Sequence, residues 1–169
     1  MNKFLKFPVI LMLSLFALPD VATAEIKQAA SGLPLPRFVS LRSDKVNMRT
    51  GPGFRYPIDW VYKRLNMPME VVAEFGTWRK VRDFQGTEGW VNKAMLRNKR
   101  TLAVTGQTRT LRFNSDSKSP AVARIEPSVT GKIIRCRENA GWCKLSFGKY
   151  EGWLRRVEFW GAYPTEKIN

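Results

Sequence analysis

The sequence contains no histidine and only two cysteines among its 169 residues. Without imidazole there is no Ser–His or Cys–His couple, and no zinc site that needs histidine. Two thiols cannot make a four-cysteine metal site. No metal and no other cofactor is therefore expected. Acidic residues are in the minority, 14 against 29 Lys and Arg, for a formal charge of +15. Long apolar runs are scarce too: residues 7–18 form the one stretch of twelve, interrupted by Pro8 and Ser14.

That run sits between Lys3 and Lys6 on one side and Pro19 and Ala22-Thr23-Ala24 on the other. A positive start, a short apolar segment and small residues before a cleavage point make a secretory signal peptide. Twelve residues reach about 18 Å as a helix, short of a hydrocarbon core of roughly 30 Å. Residues 1–24 are expected to be removed between Ala24 and Glu25, giving a periplasmic or secreted protein. Taking Lys3, Lys6 and Asp20 from the totals of 29 and 14 leaves a charge of +14. Export argues against nucleic acid as the partner. The charge either draws the protein to anionic envelope surfaces, where salt would weaken the attraction, or serves solubility.

After a leader over 25–37, rich in Ala, Gly and Pro and read as flexible or extended, the sequence repeats itself. Met48-Arg49 and Leu111-Arg112 are 63 residues apart, as are Pro57 and Pro120, Val71 and Ile134, and Gly89-Trp90 and Gly152-Trp153. Trp78 and Trp142 are 64 apart. A period near 60 suits two copies of a small domain, 38–98 and 99–163, with a tail over 164–169. Each copy reads as short strands punctuated by turns. In the first these are 38–42, 46–49, 58–62, 69–75, 78–83 and 88–92. In the second they are 102–105, 110–113, 121–125, 132–137, 142–147 and 151–155. Residues 93–96 suit a single helical turn. The expected fold is all-β: two small barrels in tandem, since closure removes exposed sheet edges.

A domain of about 60 residues is marginal alone. Six tryptophans offer large areas for burial. The cysteine pair offers a covalent tie. If the hairpin pairs Cys136 with Cys143, it also pairs Ile134 with Leu145, and both pairs face inward while Arg135 and Lys144 face out. In an oxidising compartment this predicts a cross-strand disulfide, contributing about 2–3 kcal/mol in the chain-entropy model. The spacing is not that of a Cys-x-x-Cys redox pair.

The run Val46-Asn47-Met48-Arg49-Thr50-Gly51-Pro52-Gly53-Phe54-Arg55-Tyr56-Pro57, a strand over 69–74, Trp78-Arg79-Lys80-Val81 and Gly89-Trp90-Val91 resemble, in order, the motifs of the bacterial Src-homology-3 (SH3-like, SH3b) domain. The second copy keeps Leu111-Arg112, Pro120, Trp142 and Gly152-Trp153-Leu154 but replaces the Gly-Pro-Gly turn. The tandem form with a Cys just after Trp142 is similar to exported two-domain members. The resemblance implies barrels of five to six strands that bind peptides or cell-wall components. It implies a ligand groove between the first long loop and the Trp-bearing hairpin, and hence Arg55, Tyr56 and Trp78 as ligand-binding residues. An aromatic wall stacks on flat or apolar parts, and an arginine grips a carboxylate. For Trp78 and Trp142 groove and core are both open, whereas Trp90 and Trp153 are expected in the core. Arg79, Lys80 and Arg82 read as a solvated face.

No catalytic residue is expected. Asp59, Glu70, Glu74, Asp83 and Glu88 lie on ordinary strands and turns, and Ser115-Asp116-Ser117-Lys118 reads as a turn. The sequence thus points to an exported non-enzymatic module that binds peptide or peptidoglycan in the bacterial envelope. The alternatives are a periplasmic adaptor or inhibitor that scaffolds a partner enzyme, and a secreted factor acting on host cells. The intact mass of the protein recovered from exporting cells is expected to lack residues 1–24 and to show no free thiol.

Overall fold

Alternation of apolar and polar side chains sets the local structure. In Val46-Asn47-Met48-Arg49 the first and third side chains are buried and the second is exposed, the period of a strand with one wet face. The computed structural model describes residues 31–169. The signal segment and its cleavage point at Ala24 and Glu25 lie outside them. The first unit comprises β1 (Arg37–Leu41), β2 (Val46–Arg49), β3 (Ile58–Tyr62), β4 (Pro68–Phe75), β5 (Trp78–Arg82), β6 (Glu88–Asn92) and β7 (Leu96–Arg97). The second comprises β8 (Thr101–Val104), β9 (Arg109–Arg112), β10 (Ala121–Ile125), β11 (Thr130–Cys136), β12 (Trp142–Phe147), β13 (Tyr150–Arg155) and β14 (Phe159–Trp160).

The strands form two seven-stranded antiparallel sheets, ordered β3-β2-β6-β5-β4-β1-β7 and β10-β9-β13-β12-β11-β8-β14. Adding seven to each label turns the first order into the second. The protein is therefore two SH3-like barrels in tandem, each around its own core. Single 3-10 turns at Lys93–Met95 and Arg156–Glu158 occupy matching places. The two-residue strands β7 and β14 were not marked by any alternation, since two residues are too few to show a period.

Met48 and Leu111 are fully buried at corresponding points of the two cores. A Cβ on Gly89 would lie 2.5 Å from the Met48 side chain, and one on Gly152 would lie 2.6 Å from the Arg112 carbonyl oxygen. Only glycine fits these crossings. The tryptophan after each glycine must then point to the other face. Trp90 and Trp153, expected in the core, are half-buried on the outer face, paired with Arg49 and Arg112. Val91 and Leu154 fill the interior instead.

Cys136 and Cys143 pair across β11 and β12, with Arg135 opposite Lys144, as expected, and form a disulfide. A bulge at Ile134 then shifts the register, so that Leu145 faces Ile133 rather than Ile134. The first barrel has the same irregularity between Val71 and Ala73. The structural counterpart of Val71 is therefore Ile133. A bulge adds one unpaired residue, which neither alternation nor the repeat spacing revealed.

In this register the rung equivalent to Cys136–Cys143 is Glu74–Arg79. The Glu74 side chain is 1% exposed. Its Oε1 accepts from Arg37 Nη2 at 2.5 Å and Ser31 Oγ at 2.9 Å and lies 3.0 Å from Arg79 Nε in an ion pair, and its Oε2 accepts from Ser31 N at 2.9 Å. One barrel is pinned covalently at this rung and the other by a buried ion cluster. Arg79 and Arg82, read as part of a solvated face, are instead bonded to Glu74 and Glu70. Ser31 and Arg37, read as part of a flexible leader, are held on the barrel. Residues 164–169, read as a tail, complete the second barrel: Ile168 is buried and its backbone exchanges two 2.9 Å hydrogen bonds with Cys136.

The barrels meet through Phe38. Its ring lies 4.8 Å from Trp160, edge-on, and 4.7 Å from Tyr163, with the Arg100 guanidinium 5.5 Å from its centroid. Tyr163 Oη donates to Glu70 Oε1 at 2.8 Å, and Arg64 Nη1 donates to the Ser128 carbonyl at 2.5 Å. Burial and the Glu70 carboxylate push the Tyr163 phenol well above its ordinary range.

Burial alone would raise the Glu74 carboxyl, but hydrogen bonds from Arg37 and Ser31 hold it below the ordinary carboxylate range. A folded-state value below the unfolded one adds stability that is present above the unfolded value and is lost as pH falls through the folded one. Glu74→Gln is therefore expected to cost about 3 kcal/mol at pH 7, because it leaves buried guanidinium groups unpaired. It should also flatten the loss of stability below about pH 4.3. Urea midpoints of both proteins measured from pH 3 to 7 check this.

Candidate functional site

The segment between β2 and β3 starts as a strand and cannot continue as one, because Gly51, Pro52 and Gly53 impose turns. Thr50 N donates to the Pro57 carbonyl at 3.1 Å, closing the loop. Arg49 Nη1 reaches under it to the carbonyls of Tyr56 at 2.6 Å and Phe54 at 3.1 Å. Arg112 does the same in the second barrel, donating to the Ser119 carbonyl at 2.8 Å. The Met-Arg and Leu-Arg repeats thus pair a core residue with a loop clamp.

The Tyr56 ring packs against the loop backbone so closely that a Cβ on Gly51 would lie 2.4 Å from it. Phe54 is thereby turned outward. It is 74% exposed, and its ring stands 5.1 Å from Trp78, edge-on. Trp78 is itself buried at the start of β5. Between this pair and the turn after β6 lies a groove of about 350 Å³. Its walls are Phe54, Trp78 and Met95, and its rim carries Lys45, Asn47, Arg49 and Asn92. The rim is cationic, and no acidic side chain lines the groove. Asn92 also caps the 3-10 turn, accepting from Ala94 N at 3.0 Å. The arrangement suits an apolar or flat group against the aromatic wall, with a carboxylate or carbonyl at the rim.

Of the residues expected at the site, Trp78 lines the groove. Tyr56 supports the loop from behind. Arg55 is exposed and stacks on Tyr56, with Nη2 3.3 Å from the phenol oxygen and the guanidinium 5.2 Å from the ring centroid. Phe54, Lys45, Asn47, Arg49, Asn92 and Met95 were missed. The first four were within reach of the sequence: alternation in β2 sends Lys45, Asn47 and Arg49 to the face opposite Val46 and Met48, and Phe54 directly follows the turn. Asn92 and Met95 approach only because the sheet closes.

Four of the five carboxylates weighed as catalytic groups are held in hydrogen bonds or ion pairs, and the fifth, Asp59, is exposed on β3. Glu70 and Glu74 carry the ion pairs above. Asp83 accepts from Tyr62 Oη at 3.0 Å and from the backbone of Gln85 and Thr87, each at 2.9 Å. Glu88 pairs with Lys80 at 2.7 Å. Ser115 to Lys118, which has Ser-x-x-Lys spacing, is an exposed turn in which Lys118 N donates to Asp116.

The family described as bacterial SH3 domain matches residues 42–98 and again residues 107–161. No curated protein matches the chain. Among solved structures it is similar to NlpC2 from Trichomonas vaginalis, at 11% identity and a TM-score of 0.34, covering 74% of this chain and 48% of that one. It is also similar to NlpC1 from the same organism, at 11% identity and a TM-score of 0.35, covering 83% and 51%. The chain thus spans about half the length of these structures.

If Arg49 clamps the loop, Arg49→Met is expected to speed trypsin cleavage after Arg55 several-fold, with little change at sites in the second barrel. The rate at which a fragment beginning at Tyr56 forms is the measurement.

Proposed function

Because the chain belongs to the bacterial SH3 family, with the domain present twice, we propose that it is an exported binding protein whose first barrel grips peptide or peptidoglycan material in the groove between Phe54, Trp78 and Met95. The family is one of binding domains. The observation that carries the reading is the exposed Phe54 ring held over Trp78 by a clamped loop. An aromatic side chain this exposed exists at a hydration cost that a bound ligand removes. The cationic rim matches wall material that carries free carboxylates. The disulfide and the N-terminal signal motif support an extracytoplasmic setting. Among the described residues no helix is long and apolar enough to cross a membrane.

A second reading, a periplasmic adaptor or inhibitor that scaffolds a partner enzyme, is favoured by a different surface. The edge strand β3 exposes Ile58 and Val61 on the face of Arg49 and Asn47, and Trp60 on the other face. Unpaired edges and exposed apolar patches attract other proteins.

Sedimentation with purified peptidoglycan separates the two. Saturable retention is expected to survive ~0.5 M salt, where exposed charges are largely screened. Phe54→Ala should weaken it about tenfold, roughly 1.4 kcal/mol, while Trp60→Ala leaves it unchanged. Retention that disappears with salt, or that ignores Phe54→Ala, overturns the groove assignment. Co-purification of one envelope protein, lost in Trp60→Ala alone, would establish the adaptor instead.

A further inference from the structure

The second barrel has a groove at the same place as the first, about 250 Å³ in volume. The sites correspond residue by residue through the repeat. Trp142 stands where Trp78 does, and Arg112 where Arg49 does. Around these two constants the chemistry is exchanged. Lys45 and Asn47 become Thr108 and Thr110, Phe54 becomes Ser117, Asn92 becomes Arg155, and Met95 becomes Glu158. The apolar wall is gone, and guanidinium groups and hydroxyls replace it around a single indole. Arg109, on the same strand as Arg112, adds a third guanidinium.

The one acidic side chain of the lining is already engaged. Glu158 Oε1 accepts from Arg155 Nη2 at 3.0 Å and Nε at 3.2 Å, and its Oε2 accepts from Arg155 N at 2.9 Å. Three guanidinium groups against one carboxylate leave a net positive groove. Arg112 uses Nη1 on the Ser119 carbonyl, and Arg109 uses Nε on the Thr105 carbonyl at 3.2 Å. These contacts fix both side chains in place while most of their N–H groups remain unbonded among the described residues. Planar donors held in advance bind carboxylates in bidentate fashion with little further loss of side-chain freedom. The Trp142 face beside them accommodates the atoms that carry the carboxylate. A bare inorganic anion has nothing to place there.

We propose that this groove is a second, separate binding site that takes a carboxylate-bearing peptide segment. The inference goes beyond the reading of the first groove and does not depend on it.

The test follows the indole N–H resonance of Trp142 in the exported, disulfide-bonded protein at ~0.15 M salt, with acetyl-tetraglutamate amide as the probe. Tetraglutamate is expected to move that resonance saturably, while the tetraglutamine analogue and inorganic phosphate leave it in place. Arg109→Gln with Arg155→Gln should weaken binding about tenfold. The charge-matched pair Arg124→Gln and Arg135→Gln, exposed and outside the groove, should change it less than twofold. Phe54→Ala should have no effect on this titration, which separates its outcome from that of the first groove. Three results overturn the proposal: a stationary Trp142 resonance, equal weakening by the charge-matched pair, or the same shift with phosphate alone. The comparison of the glutamate and glutamine peptides on the unsubstituted protein decides the matter even if the double variant fails to fold.

Discussion

Closing the long hairpin is the constraint on which the rest of this structure depends. A barrel of about sixty residues buries too little surface to be secure on burial alone, and its longest hairpin must stay shut for the sheet to wrap around the core. The protein meets that need twice at one rung, with different chemistry. Cys136 and Cys143 do it with a covalent bond, and Glu74 and Arg79 with an ion pair that also recruits Arg37 and Ser31. Everything downstream of the rung follows from it. Trp78 and Trp142 begin the strand that leaves each hairpin, and so each tryptophan enters its groove at a height the rung sets.

The same economy governs the junction between the barrels. Phe38 is buried, yet it is absent from the core cluster of its own barrel. It packs instead against Trp160, Tyr163 and Arg100 of the other one. Glu70 accepts from Arg82 in its own barrel and from Tyr163 across the junction. A single carboxylate thereby links the first sheet to the C-terminal segment of the second. Arg156, just past β13, donates to the carbonyls of Arg137, Ala140, Tyr163 and Glu166 and holds that segment in place.

Much of this was legible in the sequence. Alternation located the strands of four or more residues, the repeat located the two barrels, and the opposed cysteines located the tie. What escaped had physical causes. Strands of two residues show no period. The bulges at Val72 and Ile134 break an alternation without leaving a composition signal. The place of Trp90 and Trp153 depends on their glycine neighbours, whose missing side chains admit Met48 and Leu111 and turn each indole outward. At the candidate groove, Trp78 was found through a motif. Phe54 was passed over for Tyr56 because a loop sequence does not reveal which of two nearby aromatic side chains folds beneath it.

The pairing of an ionic pin with a covalent one means that the two long hairpins do not share a weakness at this rung. At this rung protons act on the first pin and electrons on the second, so acid alone does not open the disulfide and a reductant alone does not break the ion pair. Under acid one hairpin is freed while its twin stays shut, and under a reductant the roles are exchanged.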